Sequence, residues 1–235
     1  LRHRQHCAFS RRAPHLLPRI YWLECLPEKF DGLVLANELL DALPVHRVTW
    51  DERGTVVEQG VACEHDRFIW STRPARGSLL EKANALHAEM TFPGGYTSEI
   101  AQAGPDWLAA WGRILGQGAL LLIDYGFPRH EFYHPQRNTG TLMCHYRHLA
   151  HDDPFFLPGL QDITAHVDFT ALAEAGHETG LELLGYTSQA AFLLDCGLAE
   201  ALSRKHGNGS KPDTLDADWP AKAQAVQKLV SPAEM

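Results

Sequence analysis

A chain of 235 residues, 45% of them hydrophobic and 21% charged, has the make-up of a globular protein with one substantial core and room for a subdomain. The formal charge of −8 argues against a nucleic-acid surface, whose footprint is a basic patch. No apolar run reaches the roughly 20 residues needed to cross a bilayer, and the Arg- and His-rich start does not read as a secretory signal.

Cys7, Cys25, Cys63, Cys144 and Cys196 are scattered and form no CxxC pair. That argues against a disulfide framework and for a reducing compartment. His130, His134, His145, His148 and His151 are the densest of the 14 histidines. Their spacings match no zinc signature, so they read as loop histidines, with one or two in a substrate cleft, and no metal is expected.

Residues 1–13 read as the tail of a helix with a basic face, and Ile20-Tyr21-Trp22 as a short strand. Pro27 to Gly32 reads as a turn. The run Leu33-Val34-Leu35-Ala36 is a buried strand that stops abruptly at Asn37 and Glu38. Asp41 follows, and Pro44 closes the segment. Polar groups at the carboxyl end of such a strand sit where open α/β sheets bind ligands. Residues 37–43 are predicted helical: Leu39, Leu40 and Leu43 share a face and Pro44 is a stop signal. Asn37 would cap that helix, and Glu38 and Asp41 would share one side.

From 45 to 70 the pattern shortens. Arg47 to Trp50, a Gly54-containing turn, and Thr55 to Val57 predict a β-hairpin insertion beside the main sheet, with Arg67 to Trp70 as a third strand. Ser78 to Glu89 reads as a helix, and Phe92 to Gly95 as a loop. A second amphipathic helix starts at Pro105, with Trp107, Leu108, Trp111, Ile114 and Leu115 as its stripe. Gly116 and Gly118 end it, and the apolar strand 119–123 runs into Asp124-Tyr125-Gly126. A helix, a tight turn and a fully apolar strand favour a parallel sheet with both faces covered. Two strands with polar ends imply one shared cleft.

Residues 126–166 show little periodicity. A stretch this long is usually functional or disordered, and its aromatic content argues against disorder. Asp168 is placed to cap a helix running through Ala175. Leu181 to Tyr186 reads as a strand, Gln189 to Leu194 as a short helix, 204–218 as a mobile loop, and Ala221 to Val230 as a helix.

Four motifs recur in a familiar order. They are Asn37-Glu38-Leu-Leu-Asp41-Ala-Leu-Pro44, Asp124-Tyr125-Gly126 followed by Gly140-Thr141-Leu-Met-Cys-His-Tyr146, Asp162-Ile-Thr164-Ala-His166-Val-Asp168-Phe169, and Gln189-Ala-Ala-Phe192. Together they resemble the MidA-like, or NDUFAF7-like, S-adenosylmethionine-dependent methyltransferases, from about residue 18 to the end. The resemblance implies an α/β, doubly wound, seven-stranded methyltransferase fold of Rossmann-like type. It also implies S-adenosylmethionine as methyl donor and a protein arginine as acceptor. In the mitochondrial members that arginine belongs to a respiratory complex I subunit, and methylation assists complex I assembly. The implied location is the bacterial cytoplasm or the mitochondrial matrix.

The family opens with a strand and a glycine-rich turn that cradles the methionine part of the cofactor, and an acidic residue after the next strand holds the ribose. Neither motif is found here, and the chain stops before the family's final strand. Residues 1–235 are therefore expected to form a single but partial methyltransferase-like domain, with 45–70 as a β insertion and 126–166 on the substrate side.

An arginine acceptor suits this set of acids. A guanidinium stays protonated to a pKa above about 12, and carboxylates hold it through paired hydrogen bonds. They also accept its proton as the N–C bond forms. Glu38, Asp41 and Asp124 are thus the catalytic candidates. Asn37, Glu24 and Glu38 are assigned to the cofactor, with Glu24 where such folds often contact adenine. Glu99, Tyr125, Gly126 and His166 are assigned to the substrate. Two alternatives stay open: a non-catalytic interaction or assembly module that keeps the sheet and cleft, and a His-dependent metal enzyme.

Overall fold

The computed structural model describes residues 1–147, 149–204 and 219–230. α1 (Arg2–Arg12) and a 3-10 turn (Pro14–Arg19) precede β1 (Phe30–Asn37). Then come β2 (Val45–Trp50), β3 (Val56–Glu64), β4 (Arg67–Pro74), α2 (Gly77–Met90) and β5 (Tyr96–Ala101). α3 (Ala103–Ile114) runs straight into β6 (Leu115–Ile123), followed by β7 (Gly126–Phe127) and α4 (Arg129–Phe132). β8 (Met143–Tyr146), β9 (Leu149–His151), β10 (Asp162–Thr164) and β11 (Val167–Asp168) lead to α5 (Phe169–Glu178). α6 (Gln189–Asp195), α7 (Leu198–Arg204) and α8 (Trp219–Val230) complete the described chain.

β1 and β6 pair in parallel, with Leu33 beside Ala119 and Asn37 beside Ile123. Gly118 permits the close approach at the start of this pair. Its φ is +152°, and a Cβ there would overlap the Gly32 carbonyl. One face is covered by α3 and α5 through Leu40, Leu108, Val167 and Leu172, backed by Trp107, Leu120 and Leu122. The other face carries Leu33 and Leu35, which are 63% and 62% exposed. The expectation of a sheet covered on both faces is therefore met on one face only among the described residues.

The larger core lies in the antiparallel sheet, ordered β4-β3-β2-β5. The expected hairpin over 45–70 is extended to Pro74 and joined by β5, and α2 packs against it. Val48, Trp50, Val56, Leu79, Ala83 and Tyr96 close this core. Trp50 is fully buried, its ring 4.4 Å from Phe92 and its indole N–H donated to the Ala83 carbonyl at 3.2 Å.

Several expectations are corrected. Residues 38–43 form a tight turn and no helix, because Glu38 takes a left-handed φ of 46° and the next amides find a carboxylate acceptor across the sheet. Asn37 consequently ends β1 and caps nothing. Tyr21 and Trp22 are not a strand; Trp22 packs on α1 and donates to Gln5 at 3.0 Å. β1 begins at Phe30, inside the expected turn, and Gly116 and Gly118 lie within β6, so they do not end α3. Residues 181–186 form no strand: Leu183, Leu184 and Tyr186 are exposed, with no neighbouring strand among the described residues. The 126–166 stretch holds a three-stranded antiparallel sheet, ordered β10-β8-β9, in which Cys144 is fully buried. The loop expected at 204–218 falls almost wholly outside the described residues, as does His148.

Removing a fully buried indole leaves a cavity and costs about 3–5 kcal/mol. Trp50→Ala should lower the urea midpoint by the equivalent amount, read by far-UV circular dichroism; an unchanged midpoint would mean this sheet is not the main core.

Candidate functional site at the strand ends

The carboxyl ends of β1 and β6 meet at Asn37-Glu38 and Asp124-Tyr125. The Glu38 amide continues the pairing by donating to the Ile123 carbonyl at 2.9 Å. Beyond it the chain turns around one acceptor. Asp124 Oδ2 takes hydrogen bonds from the amides of Leu39 (3.1 Å), Leu40 (2.8 Å) and Asp41 (3.4 Å). Three donors on one carboxylate oxygen hold the turn to β6. The left-handed Glu38 costs about 1–3 kcal/mol of backbone strain, and the same contacts offset it. Glu38 is exposed, and its Oε1 accepts from the Tyr125 hydroxyl at 3.4 Å.

Asp41 is 8% exposed, and its Oδ1 has no hydrogen-bond partner among the described residues. Such a group is costly in a folded protein. Burial and the neighbouring charges of Asp124, Glu38 and Asp162 push its carboxyl up to about 6, against the pull of the Ala42 amide. Burial, followed by the Glu38 charge, also pushes the Tyr125 hydroxyl up. The strand ends therefore gather negative charge, and among the described residues Glu38, Asp41 and Asp124 make no ion pair. A cavity of about 400 Å³, lined by Glu38, Ile123, Asp124, Tyr125, Gln189, Ala225, Lys228 and Leu229, opens beside them. That is within the usual range for a small-molecule site, roughly 300–1,000 Å³. α6 and α8 wall it, held together by the Gln189 side-chain amide donating to the Leu229 carbonyl at 3.2 Å.

The other expected site residues lie elsewhere. Glu99 is 1% exposed, inside β5. Its Oε2 accepts from the Thr141 amide (2.7 Å) and hydroxyl (3.0 Å), and Arg47 Nε stands 3.6 Å from Oε1. Burial pushes its carboxyl up, against the pull of Thr141 and Arg47. It ties the 139–141 loop to the antiparallel sheet and presents no surface to a substrate, which corrects its assignment as a clamp. Gly126 is a strand residue paired with Val167, and a Cβ there would overlap the Val167 backbone. The approach its small size permits is by the chain's own β11, and the expected ligand contact is corrected accordingly.

His166 stacks on Phe127 with ring centroids 5.3 Å apart, and its amide donates to the Thr141 hydroxyl at 3.1 Å. Burial pushes the ring below the usual histidine range. Glu24 pairs with Arg2 at 3.4 Å through a side chain that is 88% exposed, and it does not line the strand-end cavity. Asp168 caps α5 as expected, accepting from Thr170 (3.0 Å) and Ala171 (3.1 Å).

Sequence reasoning missed Arg47 and Lys228, for which no motif gave a signal. It quoted Thr141 and Gln189 in motifs without giving either a role. Among the described residues no group of three or more His, Cys, Asp or Glu side chains is placed to hold a metal ion.

A parallel strand pair, the second strand fed directly by a helix, with acids at the adjacent strand ends, is the arrangement of Rossmann-like ligand-binding proteins. The family model whose description reads "Putative S-adenosyl-L-methionine-dependent methyltransferase" matches residues 1–187, and the chain belongs to that family. The mitochondrial protein arginine methyltransferase NDUFAF7 of Danio rerio is 31% identical over 194 residues, covering 76% of this chain and 40% of that protein. The Homo sapiens NDUFAF7 is 27% identical over 210 residues, covering 86% and 42%. A Burkholderia thailandensis crystal structure bound to S-adenosyl-homocysteine superposes with a TM-score of 0.86 at 45% identity, over all of this chain and 58% of that one. A native structure from the same organism gives 0.89 at 47%, over all of this chain and 60% of that one. The fold is thus that of the Rossmann-like methyltransferases. The chain spans about two fifths of the length of the curated relatives it matches.

The raised Asp41 carboxyl has a sign. Its value of about 6 exceeds the ordinary 3.8, so the folded state holds the proton more tightly than the unfolded one. Stability therefore falls as pH rises between those two values and stays reduced above them. Asp41→Asn removes the repulsion with Asp124, Glu38 and Asp162, and should raise the melting temperature near neutral pH by a few degrees, with the gain fading in acid. A variant that melts lower at neutral pH would make Asp41 a structural partner.

Proposed function

We infer that this chain forms the acceptor side of an S-adenosylmethionine-dependent protein methyltransferase that modifies arginine. The observation that carries this reading is the buried Asp41 carboxylate oxygen without a partner, set among Glu38, Asp124 and Asp162. A guanidinium supplies the missing donors and the missing positive charge.

Family membership makes S-adenosylmethionine the donor, and the strand-end residues suit it. A cation is favoured beside Glu38 and Asp124, and Asn37 and Glu38 are the residues assigned to hold it. Bound there, S-adenosylmethionine supplies an electrophilic methyl group on a sulfonium. Asp41 holds the arginine side chain and fixes the direction of its nitrogen lone pair. As the carboxylate against the guanidinium, it is also placed to take the proton released when the N–C bond forms and the methyl group's C–S bond breaks. Tyr125 donates to Glu38 and so orients it. Orientation of this kind supplies several kcal/mol of the barrier.

The curated relatives are named as protein arginine methyltransferases of mitochondria. The corresponding reading here is a protein substrate of the complex I subunit type, in the bacterial cytoplasm or the mitochondrial matrix.

Incubating the protein from its source with methyl-labelled S-adenosylmethionine and arginine-containing peptides should yield methylarginine by mass spectrometry. Glu38→Gln and Asp41→Asn should fold and lose activity by about 10²–10⁴-fold. Asp124→Asn should also cost about 1–3 kcal/mol of stability, because its carboxylate holds three backbone amides. Calorimetry showing no binding of S-adenosyl-homocysteine would overturn the enzyme reading and leave the non-catalytic module.

A further inference from the structure

One face of the small sheet beside the cleft carries an exposed carboxylate. In an antiparallel ladder, directly paired residues point to the same side. Asp162 pairs with His145, which pairs with Ala150, and Thr164 pairs with Met143. These five residues share a face, and all but the half-buried Thr164 are exposed. On the opposite face Cys144 is fully buried, while its partner Ile163 is 41% and Leu149, paired with Tyr146, 72% exposed.

The strand that carries Asp162 adjoins the cleft. The Ala165 amide, one residue past β10, donates to the Asp41 carbonyl at 3.0 Å. The charge of Asp162 is one of those acting on the Asp41 carboxyl. Among the described residues no cationic nitrogen lies within ion-pair distance of Asp162, Asp41 or Glu38. Met143 adds an adaptable apolar contact, of the kind used on surfaces that receive varied peptides.

We propose that the face carrying Asp162 is a docking strip for an extended polypeptide, on which Asp162 holds a second basic side chain flanking the arginine that enters the Glu38–Asp41–Asp124 cleft. The assignment rests on the arginine reading of that cleft and adds a sequence preference to it. Charge complementarity selects the occupant: one carboxylate is orphaned in the cleft and another is unpaired on the strip, so a segment with two neighbouring positive charges satisfies both. A lone arginine satisfies only the first. Met143 then receives an apolar neighbour.

The test is fluorescence anisotropy with labelled synthetic peptides, read without cofactor, so that its outcome is separate from methyl transfer and S-adenosyl-homocysteine binding. One peptide carries a single arginine in a neutral frame. The others carry a second arginine walked along both flanks. At one position the unaltered protein should bind the two-arginine peptide about fivefold more tightly than the single-arginine peptide, the upper range for an exposed ion pair. Asp162→Asn should erase that advantage, so that this variant binds the two-arginine and single-arginine peptides equally. Asp162→Arg should transfer the preference to a glutamate at the same position. An advantage that survives Asp162→Asn, no advantage at any position, or no binding of any peptide by the unaltered protein would overturn the proposal.

Discussion

The hydrogen bonds from three consecutive amides to Asp124 Oδ2 are the contact on which the strand ends depend. They join segments more than 80 positions apart in sequence, and they decide the form of the turn after β1. Without an acceptor there, the amides of Leu39, Leu40 and Asp41 would need carbonyl partners, and a helical turn is the nearest source. With it, the chain leaves β1 through the left-handed Glu38 and enters β2 within a few residues. One carboxylate thereby sets where Glu38 and Asp41 stand, and how the parallel pair connects to the antiparallel sheet.

This dependence explains why the turn was misread as a helix. The spacing of Leu39, Leu40 and Leu43 is helical, and local pattern is all that periodicity can weigh. The competing acceptor is remote in sequence, so nothing near residue 40 announces it. By the same reasoning Glu99 looked available, because its partners Thr141 and Arg47 lie 42 and 52 positions away. Gly126 looked like a ligand contact because the strand it touches begins only at Val167. Elements governed by their own sequence were legible: α3 with its aromatic stripe, the apolar β6, and α5 behind its Asp168 cap. The approximate parallel pairing also followed, since a helix feeding an apolar strand leaves few alternatives.

Three features unfavourable to stability meet at the strand ends. A left-handed non-glycine residue, a buried carboxylate oxygen with no donor, and several like charges sit together at the ends of β1 and β6. Elsewhere buried charge is compensated: Arg129 reaches Glu89, Asp168 and Glu174 at once, and Glu58 is shared between His46 and Arg73. A left-handed residue, an orphan acid and like charges meeting at adjoining strand ends mark positions kept for chemistry. The antiparallel core around Trp50 supplies the stability that tolerates it.

The burial of Cys144 makes the small sheet its own reporter. Its thiol is buried, whereas Cys25, Cys63 and Cys196 are exposed and Cys7 is half-buried. A thiol-specific reagent therefore meets four cysteines readily and the fifth only when β8 parts from its surroundings. The rate of that last modification measures local opening of the sheet, separately from global unfolding. Held against the rates for the intact fold in denaturant, it turns one silent side chain into a clock for the motion of the acceptor side.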